Sequence, residues 1–292
     1  MNSHSRNIVY AVTFSLPMML HCIGLVLLYK AKGKLPHQRM VTMNLAAAEM
    51  IYCLWRAAWH IMNVIDFFVW IRGIVPNAST FFSFVSEFLF VNIRFAYILI
   101  IADRFLFIWL NIKYYLYITK HQLRLVIIAQ WLLAILTALV VILFYKCKVL
   151  NYNEFIRTRL VIHIALDTLI SSTALFTFSY LFLRVKGITK ESDNQQKVHS
   201  GMFKIWMKLK VPGLMVITFV IFNVSSTILK FIDLKFDYKD LRLIITIYTL
   251  TILGWCFDSI IYILVQKRVR KLVYSMTKRR SKVYSVDTRP DL

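Results

Sequence analysis

Residues 123–145, which read LRLVIIAQWLLAILTALVVILFY, decide the fold class of this chain. Arg124 is the one charged residue in the stretch. A helix of this length measures about 35 Å at 1.5 Å per residue, which is enough to cross about 30 Å of hydrocarbon. Comparable apolar blocks recur along the chain and are separated by short basic segments. The sequence therefore predicts membrane-spanning helices.

The composition supports the same class of protein. Of the 292 residues, 59% are hydrophobic and 17% are charged, whereas soluble domains average about 45–50% and about 25%. These values exclude an ordinary soluble enzyme and a disordered chain, and a total of 7 glycines excludes a collagen-like one. The 4 cysteines show no Cys-x-x-Cys spacing, so they predict neither a zinc site nor a disulfide framework.

We predict an all-α membrane protein, a seven-transmembrane helix bundle with a short amphipathic cytoplasmic eighth helix. The bundle occupies residues 8–265, after a short extracellular N-terminus at 1–7 and before a cytoplasmic tail at 266–292. In the tail, apolar residues from Val269 to Met276 follow a helical period, typical of a helix lying on anionic lipids. The predicted spans are 8–29, 40–64, 81–109, 123–145, 160–183, 211–232 and 241–265.

The orientation follows from the basic residues. The tail and the three loops on its side contain 22 Lys and Arg, against 8 in the N-terminus and the other three loops. Because positive charge is retained in the cytoplasm, we expect a multi-pass plasma-membrane protein with its N-terminus outside and its C-terminus inside. Asn77 begins an Asn-Ala-Ser glycosylation motif in the first outer loop, which agrees. The net charge of +22 thus indicates topology and contact with anionic lipids rather than nucleic-acid binding.

An ordered set of motifs resembles the rhodopsin-like (class A) G-protein-coupled receptors, in particular their divergent invertebrate orphan members. Asp103-Arg104-Phe105 is similar to the Asp-Arg-Tyr motif that ends the third span. Residues 44–49, NLAAAE, are similar to the second-span pattern, with Glu49 at the position of the family's sodium-site aspartate. Trp131 takes the place of the fourth-span tryptophan. Residues 258–262, DSIIY, resemble the seventh-span Asn-Pro-x-x-Tyr motif.

The resemblance implies a receptor that is not itself an enzyme and has no cofactor beyond a sodium ion. That ion would lie at Glu49 and Asp258, and the alternative is a carboxylate pair that shares a proton. The implied partners are an extracellular ligand of unknown type and a heterotrimeric G protein. The implied coupling and activation residues are Asp103, Arg104, Phe105, Glu49, Asp258 and Tyr262.

Several positions depart from the family pattern. The sixth span lacks the Cys-Trp-x-Pro switch, and Ser79 stands where the third-span cysteine is usual. Ile252 replaces the retinal-binding lysine, so the chain is not a standard opsin. Ser86 replaces the aspartate that anchors amines, which argues against an amine ligand. For Arg104 itself, the alternative is an interface arginine whose side chain reaches lipid headgroups.

Charged and polar residues in the outer halves of the spans predict a ligand pocket. Arg56 and His60 are four residues apart, as are His163 and Asp167, so each pair shares one helix face. Lipid would reject such faces, so they should point into the bundle. The alternative is that Arg56 or Arg94 only neutralises a carboxylate in a salt bridge between helices. The predicted pocket residues are Arg56, His60, Glu87, Arg94, His163 and Asp167.

Two other functions stay open at this stage. A small ion channel or transporter would use the charges inside the membrane as a path for ions or substrate. A receptor-like subunit that does not couple would fit the missing sixth-span switch. The motif pattern favours a receptor that binds its ligand within the bundle and activates a G protein.

Overall fold

The structure is a computed structural model. It describes residues 3–30, 36–65, 78–110, 113–146, 152–191, 214, 217–232, 241–264 and 274–275.

The described chain is helical almost throughout. Helix α1 begins at Ser3, five residues before the first predicted span, and α6 continues eight residues beyond the fifth one. The short α4 lies between α3 and α5, in the predicted cytoplasmic loop. The helices are α1 Ser3–Lys30, α2 Pro36–Val64, α3 Ala78–Leu110, α4 Tyr114–Tyr117, α5 Lys120–Lys146, α6 Tyr152–Glu191, α7 Ile217–Ile232 and α8 Leu241–Leu264.

Four of these helices are long and apolar enough to cross a membrane. Their apolar parts are His4–Lys30, Thr80–Phe107, Lys120–Phe144 and Arg157–Tyr180, with mean hydropathy of 1.6 to 2.8. Shorter apolar stretches lie in α7 and α8, at Ile217–Ile232 and Thr246–Ile261. The all-α membrane class is therefore supported. Of the predicted eighth helix, only Tyr274 and Ser275 belong to the described residues, and both are helical.

Helix α3 is the centre of the packing. In the most apolar 18-residue stretch of α3, 67% is buried inside the structure, against 28% in the corresponding stretch of α5. It packs against α2, α5 and α6, while α1 packs against α2 and α8. Leu45, Ile93 and Tyr97 are among the fully buried core residues.

The outer face of α5 is apolar and exposed. Leu132, Leu136 and Leu143 are each more than half exposed, whereas the polar Gln130 on the same helix is buried. Such an apolar surface would be unfavourable in water, but it is compatible with contact to lipid hydrocarbon. Polar groups in the interior and leucines outside are the arrangement expected of a helix bundle in lipid.

The two helices nearest the C-terminal end of the described bundle approach closely at Gly254. A Cβ atom there would lie 3.2 Å from Cβ of Phe222. Glycine therefore lets α7 and α8 approach beside the stacked rings of Phe222 and Phe257, whose centroids are 5.2 Å apart.

Candidate functional site

Helix α3 has buried charged and polar side chains at three successive levels along its length. Glu87 and Arg94 are two turns apart and are 1% and 2% exposed. Tyr97 lies one turn further along, and Asp103 and Arg104 are buried near the end of the helix. From Glu87 to Arg104 the helix rises about 25 Å at 1.5 Å per residue. One helix thus connects three buried polar clusters along most of a membrane thickness.

At the first level, Glu87 is neutralised from α6. Its carboxylate forms a salt bridge with Arg159 and lies 2.7 Å from Nε2 of His163. The His163 ring stacks on Phe90 with centroids 4.0 Å apart. The structure therefore joins two predicted pocket residues, Glu87 and His163.

Also at the first level, one turn beyond His163 on α6, Asp167 pairs with two positively charged side chains. Its Oδ1 accepts a hydrogen bond from Nε of Arg94 at 2.9 Å, and its Oδ2 accepts one from Nζ of Lys230 at 2.9 Å. The Arg94 guanidinium also lies 3.6 Å from the centroid of the Phe90 ring. Asp167 is fully buried. The salt bridge that the sequence left open for Arg94 is thus present, and it includes a lysine that the sequence analysis did not single out.

A cavity of about 260 Å³ lies between α2, α3, α6, α7 and α8. Of the predicted pocket residues, Arg56 and His163 line it directly, while Glu87, Arg94 and Asp167 lie behind its wall, paired with other residues. The lining is Tyr52, Arg56, Phe90, Arg159, Leu160, His163, Lys230, Ile247, Tyr248, Thr251 and Trp255.

His60 does not line this cavity. Its Nδ1 lies 3.1 Å from Oδ1 of Asn7, and its ring packs against Tyr10 and Phe14 of α1, with centroids 5.0 Å and 5.9 Å away. His60 and Arg56 do share a helix face, and Arg56 also lies over the Phe14 ring. His60 therefore belongs to the contact between α1 and α2 rather than to the cavity wall.

The second level joins Glu49 of α2 to Asp258 of α8 through Tyr97. The Tyr97 hydroxyl lies 2.9 Å from Oε1 of Glu49 and also contacts Oδ2 of Asp258. Thr218 donates to the other oxygen of Asp258 at 2.9 Å. Glu49 further lies 3.4 Å from Nε2 of His21. Both carboxyl groups are almost completely buried, so a second proton or a cation is needed between them.

Beside this pair is a void of about 20 Å³, which is room for one water molecule. The carboxyl and hydroxyl oxygens suit a hard cation such as Na⁺. A cation between the carboxylates would, however, have to displace the Tyr97 hydroxyl, and Arg94 lines the same void. This arrangement favours the shared proton, and the sodium site stays a prediction of the resemblance. Among the described residues, no group of three or more His, Cys, Asp or Glu side chains could hold a metal ion.

The third level is the Asp103–Arg104 pair. The two side chains are salt-bridged and buried, 5% and 4% exposed, and Asp103 also accepts a hydrogen bond from the Tyr114 hydroxyl of α4. Arg104 Nε is buried without a hydrogen-bond partner among the described residues. This burial argues against an arginine that simply reaches the headgroups. Phe105 points elsewhere and packs on Trp109 and Tyr180.

His37, which precedes the predicted second span, packs edge-on against Tyr114 with ring centroids 5.8 Å apart. Burial lowers the pKa of His37 below its usual value, and the nearby Asp103 carboxylate partly opposes that effect. The neutral imidazole is therefore favoured beside the Asp103–Arg104 pair.

A buried amide network that sequence reasoning missed fixes α2, α3 and α5 to one another. Asn44 donates to Gln130 at 2.8 Å and accepts from Trp131 at 2.9 Å. Gln130 donates in turn to the side chain of Asn92 at 2.9 Å. The available signal was two amide side chains within predicted spans, Asn92 and Gln130, because an amide in lipid needs a partner.

Two residues of the ionic clusters were not anticipated from the sequence. Lys230 and Arg159 complete the ionic clusters, and a lysine within a predicted span was the signal for the first. Ser86, at the amine-anchor position, accepts a hydrogen bond from Trp55 at 2.9 Å. The predicted glycosylation site Asn77 lies outside the described residues. Tyr262 is within α8, but its side chain is outside the described part of the structure.

No protein-family model and no curated protein matches this chain.

Proposed function

We propose that this chain is a seven-helix plasma-membrane receptor of the rhodopsin-like type, which binds an extracellular ligand and activates a heterotrimeric G protein. Its N-terminus would be extracellular and its C-terminus cytoplasmic, with the basic tail against anionic lipids. The receptor performs no catalysis on the ligand. It would act by population shift, because a ligand that binds one helix arrangement better increases the population of that arrangement.

One observation carries the proposal: α3 has the wall of a ligand-sized cavity near one end and the buried Asp103–Arg104 pair near the other. The Tyr97 cluster lies between them and ties α3 to α2 and α8. A movement of α3 relative to those helices would therefore affect both ends. Arg104, now held by Asp103, would be the group released toward the G protein.

Coupling is tested without knowing the ligand by measuring basal activity. Membranes that contain the full-length chain are mixed with a panel of purified heterotrimeric G proteins, and uptake of a non-hydrolysable GTP analogue is followed. Asp103→Asn removes the charge that holds Arg104, so basal exchange should rise, by about tenfold for a loss of roughly 1.4 kcal/mol. Adding Arg104→Ala should return exchange to the level of empty membranes.

Arg124→Gln is the matched control. Arg124 is exposed on α5, so this substitution should leave nucleotide exchange unchanged. If the Asp103→Asn variant and the Asp103→Asn, Arg104→Ala double variant stimulated nucleotide exchange equally, the proposal would be contradicted. Surface labelling of every variant keeps expression comparable. Epitope tags at the two termini should also label from opposite sides of intact cells, and labelling from the same side would exclude seven spans.

The two alternatives give different results in the same cells. A channel or transporter would produce conductance or uptake without a G protein, through the buried charges near the cavity. A receptor-like subunit that does not couple would reach the surface, yet no variant would stimulate nucleotide exchange.

A further inference from the structure

The charge around the cavity is unbalanced. Four cations, Arg56, Arg94, Arg159 and Lys230, line it or lie directly behind its wall, and two carboxylates, Glu87 and Asp167, face them. Counted with a neutral His163, the described cluster has two more positive than negative charges. Uncompensated charge is costly inside a membrane, so the cluster favours an anion from outside the chain.

Arg56 is the cation that lacks an acidic partner. Its guanidinium donates to the Tyr248 hydroxyl at 3.3 Å and lies 5.4 Å from the ring centroids of Tyr248 and Phe14. Among the described residues no carboxylate binds it, and its Nε is buried without a hydrogen-bond partner. A guanidinium in this state offers a planar, bidentate fork that fits a carboxylate.

The remainder of the wall is aromatic and aliphatic. Tyr52 and Trp255 meet edge to face with centroids 5.1 Å apart, and Phe90, Leu160 and Ile247 add further apolar surface. A bare inorganic anion would leave this surface uncovered. An apolar body attached to an anionic head would satisfy both parts of the cavity.

We propose that the cavity binds an organic acid whose carboxylate pairs with Arg56 and whose apolar body packs against Tyr52 and Trp255. This ligand class rests on the proposed receptor function, but its binding can be measured in the absence of any G protein. A failure of coupling and a failure of acid binding are therefore separate results.

The test is thermal unfolding of the full-length protein in phosphatidylcholine nanodiscs, which contain no anionic headgroup. A thiol-reactive dye reports unfolding as a rise above the labelling of the exposed Cys22, because Cys53 is fully buried and becomes reactive only when the bundle opens. The probes are straight-chain acids from butyrate to octanoate and phenyl-substituted acids from phenylacetate to phenylbutyrate. Each acid is paired with its primary amide, which has the same shape and no charge.

At least one acid should raise the melting temperature by about 3 °C or more near saturation, while its amide does not. Arg56→Gln should weaken the apparent affinity for that acid at least tenfold, Arg56→Lys should weaken it less, and exposed Arg124→Gln should not change it. Should Arg56→Gln fail to fold, the acid–amide comparison in the unmodified protein and the Arg56→Lys variant still decide the matter.

Three results would overturn the proposal: no acid-specific shift across the series, a shift that persists undiminished in Arg56→Gln, or an equal shift with chloride or inorganic phosphate. A further arm adds phosphatidylglycerol to the nanodiscs. Arg56-dependent stabilisation by this lipid, with no response to the acids, would replace the organic acid by a lipid headgroup.

Discussion

The hydroxyl of Tyr97 on α3 lies 2.9 Å from a carboxyl oxygen of Glu49 on α2 and simultaneously contacts Asp258 on α8. A phenol has a single proton to donate, so it can satisfy one carboxylate but not two. The second contact therefore requires a proton on one of the carboxyl groups. This shared arrangement connects three helices at one point in the middle of the bundle.

Tyr97→Phe should lower the stability of the bundle by about 1–3 kcal/mol, because it leaves two buried carboxyl groups without their common partner. Tyr117→Phe, at a side chain that is 62% exposed, is the control and should change stability by less than about 0.5 kcal/mol. Thermal unfolding in detergent measures both. Adding Asp258→Asn to Tyr97→Phe should recover part of the loss, because an amide can donate to Glu49. Equal stability of the two phenylalanine variants would show that the bridge contributes little.

Asp167 neutralises both Arg94 and Lys230, so charge balance rather than size should govern substitutions there. Asp167→Asn leaves two buried cations without a carboxylate and should cost about 3–5 kcal/mol. Lys230→Met leaves the Arg94 salt bridge in place and should cost much less. The double variant has one cation fewer, so it should be more stable than Asp167→Asn by at least about 1 kcal/mol. Thermal unfolding and surface expression report the order, and simple addition of the two losses would contradict it.

The apolar blocks were sufficient to predict where the helices lie, because hydrocarbon tolerates few other patterns. Five of the seven predicted spans fall wholly inside α1, α2, α3, α5 and α6. The Arg94–Asp167 bridge was anticipated only as one of two alternatives. Helical periodicity places both residues on interior faces but does not fix the rotation of one helix against the next.

Other parts of the site depend on contacts between distant segments. The hydrogen bond from Tyr114 to Asp103 requires a short helix in a loop, and nothing in residues 110–122 specifies its position. Arg159 was counted with the outer loop, although in the structure it belongs to α6 and reaches Glu87. In both cases a side chain outside the predicted spans contacts a carboxylate inside the bundle, and the sequence pattern does not specify which side chain does so.

The neutral state of His37, beside the Asp103–Arg104 pair, predicts that the stability of the bundle depends on pH. Because burial lowers the pKa of His37 in the folded protein, the unfolded chain binds more protons below the ordinary value of about 6.5. The stability that neutral His37 contributes is therefore fully present above about pH 6.5 and is lost as the pH falls below that value. His37→Gln should reduce the drop in melting temperature between about pH 7.5 and 5.5.

His121→Gln, at an exposed position on α5, is the matched control and should leave the pH dependence as it is in the unmodified protein. If the melting temperature fell equally for the unmodified protein, His37→Gln and His121→Gln, other groups would determine the acid sensitivity.

Gln130 provides the last prediction, since it is the centre of the amide network between α2, α3 and α5. Gln130→Met keeps the length of the side chain but leaves Asn44 without its acceptor and Asn92 without its donor. Each unsatisfied buried group costs about 1–3 kcal/mol, so the melting temperature should fall clearly. Leu136→Met, at a side chain that is 58% exposed on the same helix, should have almost no effect. If instead both variants melt together, the network is not a source of stability, and α5 is held in place mainly by apolar packing.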